Sequence, residues 1–154
     1  MKLLRFGSPV LVASIMACLL AAPAGADSTY HTSHIALAPI AGAQLKSGFV
    51  ENIHADGPNI YAHEVYQLNG AQPNSSYQVV LSIWTANTSC SGEPALRLPT
   101  AKVATNAVGN GRADVFFTPD DADGLRGLTV SAIWTLWNGT TATYGTHCEV
   151  ITLD

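Results

Sequence analysis

Side chains able to do chemistry are sparse in this chain, and their spacing decides what they can be. The five histidines, His31, His34, His54, His63 and His147, are scattered. His63 stands beside Glu64, with His147 far downstream. An imidazole and a carboxylate can serve as general base or metal ligand when a fold brings distant strands together. One expectation is therefore a hydrolase or metal enzyme whose site assembles from these non-local residues. His31 and His34 lie close together but in a polar stretch, where two solvated rings are the simpler account. Asp120, Asp121 and Asp123 with Gly124 offer oxygen ligands, yet they miss the alternating acids and distant glutamate of an EF-hand loop. The chain has no G-x-S-x-G, H-E-x-x-H, P-loop or G-x-G-x-x-G pattern and no His-x-His pair. No catalytic residue, metal or cofactor is assigned.

The stronger lead is recognition by aromatic side chains. Ile-Trp-Thr occurs twice, at 83–85 and at 133–135, inside the apolar runs Tyr77–Ala86 and Leu128–Trp137. Side chains alternate across a strand, so each run can be divided into two faces. In the second run Leu128, Val130, Ala132, Trp134 and Leu136 form an apolar set that belongs in a core. In the first, Tyr77, Val79, Leu81 and Ile83 make the better core set. The two tryptophans are thus read in opposite phase, Trp134 inward and Trp84 outward. If the strands are neighbours, their outer face collects Val80, Trp84, Ile133 and Trp137. A contiguous exposed aromatic patch marks a binding surface for a protein or a glycan. The competing reading covers Trp84 with a loop or with the N-terminal segment.

Around these two runs the chain divides into about eight short strands with frequent turn signals and no helical period. The others are Ile35–Ile40, Phe49–His54, Asn59–Asn69, Leu98–Thr105, Arg112–Thr118 and Thr141–Leu153, with turns at Asp56-Gly57-Pro58 and over Ala107–Gly111. In Asn59–Asn69 the even face (Ile60, Ala62, Tyr66, Leu68) is the apolar one. It carries Glu64 with it, so that carboxyl must find a partner or lie near an edge. The Asn138-Gly139 turn poses a register problem. A simple two-residue hairpin places Thr141, Thr143, Gly145, His147 and Glu149 opposite an apolar strand. Burial favours a one-residue shift pairing Trp134 with Tyr144, Val130 with Cys148 and Leu128 with Val150, made by an odd loop or a bulge near Gly145.

The central tryptophan strand, the proline-led acidic loop Pro119–Gly127 and the terminal hairpin together resemble an immunoglobulin or fibronectin-III-like sandwich. The resemblance implies an all-β, antiparallel β-sandwich of about 7–8 strands. The cysteines depart from the immunoglobulin pattern, since Cys90 lies past its strand and Cys148 lies on the last one.

The ends and composition set the compartment. Lys2 and Arg5, the apolar run Val10–Ala22 and Ala24-Gly25-Ala26 form a signal peptide over residues 1–26. The run is shorter than the ~20 residues that a span needs, so no membrane span is expected in the mature chain. A flexible segment over 27–34 and one domain over 35–154 follow. Cys18 leaves with the leader, and Cys90 and Cys148 are read as one disulfide of an exported protein. Loss of Lys2 and Arg5 leaves five basic against eleven acidic residues, a net charge of −6. With no basic run, nucleic acid is excluded as a partner. Asn74, Asn87 and Asn138 begin glycosylation sequons. The reading is a secreted, non-catalytic binding or structural module.

Overall fold

Alternating apolar residues make strands that bury one face, and that face needs a second sheet to cover it. The computed structural model describes residues 31–40, 42–54, 60–85, 89–122 and 124–153. The expected leader, the Asp56-Gly57-Pro58 turn, Asn87 and Asp123 lie outside these residues. The strands are β1 (His31–Ala36), β2 (Ala38–Pro39), β3 (Ser47–His54), β4 (Ala62–Asn69), β5 (Ser76–Trp84), β6 (Leu96–Ala104), β7 (Gly111–Phe117), β8 (Leu128–Asn138), β9 (Thr141–Gly145) and β10 (Glu149–Leu153). They form two antiparallel sheets. One has the order β1-β3-β4-β7, and the other β2-β9-β8-β5-β6 with β10 also on β8.

Eight expected strands become ten because the first and last each divide. Residues 31–36 pair with β3, whereas Ala38 and Pro39 pair with β9 in the other sheet. Buried Leu37 sits at the crossing and donates its N–H to Gly48 O at 2.9 Å. The segment expected to be loose up to residue 34 is therefore strand from His31 onward, because β3 offers it a free edge. At the other end, β9 and β10 share one edge of β8, separated by Thr146–Cys148. There Thr146 N–H donates to Trp134 O at 3.0 Å, and Trp134 N–H donates to Thr146 Oγ1 at 3.1 Å.

The terminal hairpin shows how burial overrides turn preference. Asn138 pairs with Thr141 around a tight Gly139-Thr140 turn, with Gly139 at φ +59°. A bulge then leaves Thr143 over, so that Leu136 faces Tyr144. The expected bulge exists, but at Thr143 rather than Gly145, and Tyr144 lies opposite Leu136 rather than Trp134. A second shift over 146–148 pairs Val130 with Ile151 and Leu128 with Leu153, replacing the expected Cys148 and Val150. Cys148 leaves the ladder and bonds to Cys90.

Tyr77, Val79, Leu81 and Ile83 of β5 and Val130, Ala132, Trp134 and Leu136 of β8 pack inward against Val50, Tyr66 and Leu68 of the facing sheet. The two phases are as the alternation requires: Trp134 is 0% exposed inside the sandwich, and Trp84 projects from the other side of the sheet, opposite Ser131.

Two constraints hold the sandwich ends. The Cys90–Cys148 disulfide closes a separation of 58 residues. In the β6–β7 connection Gly109 has φ +79°, and its carbonyl accepts Ala71 N–H at 3.0 Å. A Cβ at Gly109 would lie 2.0 Å from Ala71 O. Gly109→Ala therefore combines a left-handed backbone with a backbone clash, and urea unfolding is expected to show a loss of more than about 2 kcal/mol. Replacing both Cys90 and Cys148 by Ser is expected to cost about 4 kcal/mol in the same measurement. A loss below about 1 kcal/mol for either variant contradicts the constraint assigned to it.

Candidate functional site

Residues directly opposite on paired strands share a face. Pairing of β5 with β8 gives Gln78 with Trp137, Val80 with Thr135, Ser82 with Ile133 and Trp84 with Ser131. Val80, Trp84, Ile133 and Trp137 thus do lie on one side of one sheet, but they are not equally accessible. Trp84 is only 8% exposed. The loop after β5 folds over it, and its indole N–H donates to Gly92 O at 3.0 Å. To reach Cys148 beyond the far edge of β8, this loop must cross β8, and Cys90 Sγ lies 3.8 Å from Ala132 O. The disulfide therefore ties a strap across the Trp84 end of the face. Val80 and Trp137 remain half-buried toward the other end, with Ile133 half-buried between them and Trp84. There Trp137, Gln78, Val80, Ser82, Thr135 and Arg97 line a shallow depression.

His63, Glu64 and His147 are not brought together. His63 and Glu64 are adjacent on β4 and so point to opposite sides of its sheet. On the outer side, His63 stacks on Phe116 with ring centroids 4.2 Å apart, and its Nε2 lies 3.0 Å from Asp114 Oδ1. Arg112 binds the same carboxylate through Nε and Nη2 and holds it below the usual carboxylate range. His147 pairs with Glu149 at the edge of the other sheet. His34 packs on Phe49, and Asp121 caps Thr118 through its N–H and hydroxyl. No group of three or more His, Cys, Asp or Glu among the described residues could hold a metal ion.

Glu64 instead builds an interior site. It is 2% exposed and lies between the sheets, so of the two expectations for this carboxyl, a partner or a place near an edge, it meets the first. Trp134 Nε1–H, from the facing sheet, donates to Glu64 Oε1 at 3.0 Å, and the Tyr66 hydroxyl donates to Oε2. The Tyr66 oxygen is in turn 2.8 Å from Thr100 Oγ1. Burial pushes the Glu64 carboxyl up from 4.5 to about 7, and the bonds from Tyr66 and Trp134 only partly offset this. Burial and the neighbouring carboxylate also push the Tyr66 hydroxyl up.

Beside Glu64 the register adds two more polar residues to the inner face. Asn52 pairs with Glu64 and His54 with Ala62, and Asn52 and His54 are 3% and 5% exposed. With Tyr61, whose ring meets His54 edge-on at 5.4 Å, they wall a cavity of about 50 Å³ at one end of the sandwich. Leu81, Ile83, Leu98, Ile151 and Leu153 form its apolar side. Asn52 Oδ1 is buried and accepts no hydrogen bond from the described residues. Sequence reasoning assigned no face to Asn52 and His54. The available signal was their two-residue spacing, which puts both on one side of β3.

No family model matches this chain, and searches of curated proteins and of solved structures return no match.

For Glu64 the linkage is direct. Below about pH 4.5 the carboxyl is protonated in both folded and unfolded chains. Between about 4.5 and 7 the unfolded chain loses the proton while the folded one keeps it, so stability falls as pH rises, by about 3 kcal/mol in all. Glu64→Gln keeps the shape and removes the titration. Urea unfolding of wild type and variant at several pH values is expected to show curves that diverge across this window, with the wild type losing stability toward alkaline pH. Parallel curves contradict the assignment.

Proposed function

We propose that the chain is an exported, immunoglobulin-like binding module that presents the Trp137 end of the β9-β8-β5-β6 sheet to a glycan. Four observations support the class. The cysteines form a disulfide, as suits an oxidising compartment. No described helix is long and apolar enough to cross a membrane. The order β9-β8-β5-β6 facing β3-β4-β7 parallels the G-F-C-C′ and A-B-E strands of an immunoglobulin sandwich, with β1 as an addition beside β3 and no described strand in the place of D. The charge balance disfavours polyanionic partners.

The observation that carries the glycan reading is the setting of Trp137. A half-exposed indole on a flat sheet face is flanked by the amide, hydroxyl and guanidinium groups of Gln78, Ser82, Thr135 and Arg97. An aromatic plane stacks on a sugar ring, and such polar groups at its margin bond the hydroxyls. The same face suits a protein partner through the apolar area of Val80 and Ile133. The enzyme alternative gains no support from His63, Glu64 and His147, which occupy three separate environments.

Trp84 and Trp134 are buried, so Trp137 is the fluorophore that a ligand on this face meets first. Titration with a panel of neutral and acidic oligosaccharides is expected to give a saturable change in tryptophan emission. Trp137→Ala should abolish it while near-UV circular dichroism shows the fold retained. Trp84→Phe, beneath the strap, should leave it nearly unchanged. A flat response from the wild type across the panel, or an unaltered response in Trp137→Ala, overturns the glycan reading.

A further inference from the structure

The inner end of the sandwich has a charge inventory that the outer face does not explain. Glu64 is a buried carboxyl with two donors and no cationic partner among the described residues. Ionised carboxylates taken out of water are normally paired with a cation. Its cross-strand neighbour Asn52 offers a buried acceptor, Oδ1, with no described donor. Of the residues that line the cavity, the charged ones are Glu64 and Asp121, both acids, and neither Lys nor Arg is among them. The Glu64 and Asp121 carboxyls and Asn52 Oδ1 thus supply acceptors without a cationic side chain beside them, and most of the remaining lining is hydrocarbon.

We propose that this cavity binds the ammonium head of a small primary amine, with Asn52 Oδ1 and the Glu64 carboxylate as acceptors. An ammonium supplies three donors and the missing positive charge. A neutral donor such as water or an alcohol can satisfy Asn52 but leaves Glu64 without a counter-charge. An anion meets two carboxylates. The cavity, about 50 Å³, is roughly a third of the volume that accommodates benzene in an engineered protein core. It therefore accepts a head of a few heavy atoms, with the alkyl part against Leu81, Ile83 and Leu98. A longer chain leaves through the mouth near Asp121. The proposal is independent of the glycan reading, since it uses the opposite side of β8.

The groups that set the pH response face the cavity from every side. β3 contributes Asn52 and His54, and β4 contributes Glu64 with Tyr66 against it. β8 supplies the Trp134 indole, and β5, β6 and β10 present hydrocarbon, with the Thr100 hydroxyl behind Tyr66. At the mouth are Asp121 and Tyr61, the latter with the Arg126 guanidinium 5.2 Å from its ring centroid. Protonation of Glu64 as pH falls weakens cation binding, and because His54 faces the same cavity a variant must isolate the part that Glu64 plays.

The test is calorimetric titration of the disulfide-intact protein with ethylammonium at about pH 8.5 and about pH 5.5, either side of the Glu64 titration. Saturable one-site binding is expected at the higher pH and at least about tenfold weaker binding at the lower. Glu64→Gln, with its fold checked by near-UV circular dichroism, is expected to bind at least about tenfold more weakly at pH 8.5. Asn52→Leu, similar in size but without the acceptor, should also weaken binding, and it decides the matter should Glu64→Gln fail to fold. Tetramethylammonium, a cation without N–H donors, and ethanol, a donor without charge, are expected not to bind. The proposal is overturned by absent saturable binding of methyl-, ethyl- and propylammonium to the wild type. It is equally overturned by unchanged affinity in a folded Glu64→Gln or Asn52→Leu protein, or by ethanol or tetramethylammonium binding as tightly as ethylammonium.

Discussion

Burial of the Glu64 carboxyl between two sheets is the constraint around which the interior is arranged. Removing such a group from water is costly unless donors replace its hydration. Trp134 supplies one from the facing sheet, and Tyr66 supplies the other from two residues along the same strand. This demand fixes more than one side chain. A one-residue slip of β4 would turn Glu64 to solvent and carry His63 and Gln67 into the core. The same slip of β8 would bring Ile133 inward in place of Trp134. Each strand alone could tolerate some misregister, because its apolar residues are partly interchangeable. The paired carboxyl and indole are not. The arrangement does not maximise stability, since burial raises the carboxyl to about 7. It favours one register of two sheets over its neighbours, which is the best-attested use of polar groups in cores.

Much of this was legible in the order of residues. Period-two alternation placed Tyr77, Val79, Leu81 and Ile83 inside, put Trp134 in and Trp84 outward from its sheet, and required Glu64, on the inner face, to find a partner or lie near an edge. It also required a register change after Trp137, because a plain hairpin would have set polar residues against an apolar strand. Three features were not legible, each for a physical reason. The bulge sits at Thr143 because the tight Gly139-Thr140 turn is kept, so the extra residue must be absorbed before Tyr144. The donors to Glu64 come partly from a strand seventy residues away, a pairing that only sheet topology creates. Cover over Trp84 by a loop or by the N-terminal segment was one of the two readings, but which segment supplies it was not legible, because the disulfide is what holds the Gly92 segment against that indole. Alternation assigns sides; it says nothing about what later crosses them.

The two candidate surfaces lie on opposite sides of the β5–β8 pair and differ in chemistry. Outward residues such as Gln78, Ser82, Thr135 and Trp137 offer an aromatic plane with mixed donors and acceptors, suited to a ligand rich in hydroxyls. Inward, the facing sheet brings the Asn52 acceptor and the Glu64 carboxyl to a small cavity open at one end, suited to a donor carrying charge. Trp134 and Trp137 sit three residues apart on β8, one on each side. The strand is thus a partition between a shallow surface and a small chamber. Since neither surface shares a side chain with the other, their affinities can be altered separately.

The disulfide strap has a consequence for how the sandwich opens and closes. Trp84 and Ser131 must meet for β5 and β8 to pair. In the reduced chain 47 residue steps separate them. Through the Cys90–Cys148 bond the path is 6 steps to Cys90 and 17 back from Cys148, about half as long. Halving a loop lowers its closure cost by only about 0.6 kcal/mol, a small part of the roughly 4 kcal/mol assigned to the cross-link. Most of the effect therefore falls after the two central strands have met, on the escape from the native state rather than the approach to it. The bond acts mainly as a latch, lengthening the lifetime of a closed sandwich that the sheets can find without it.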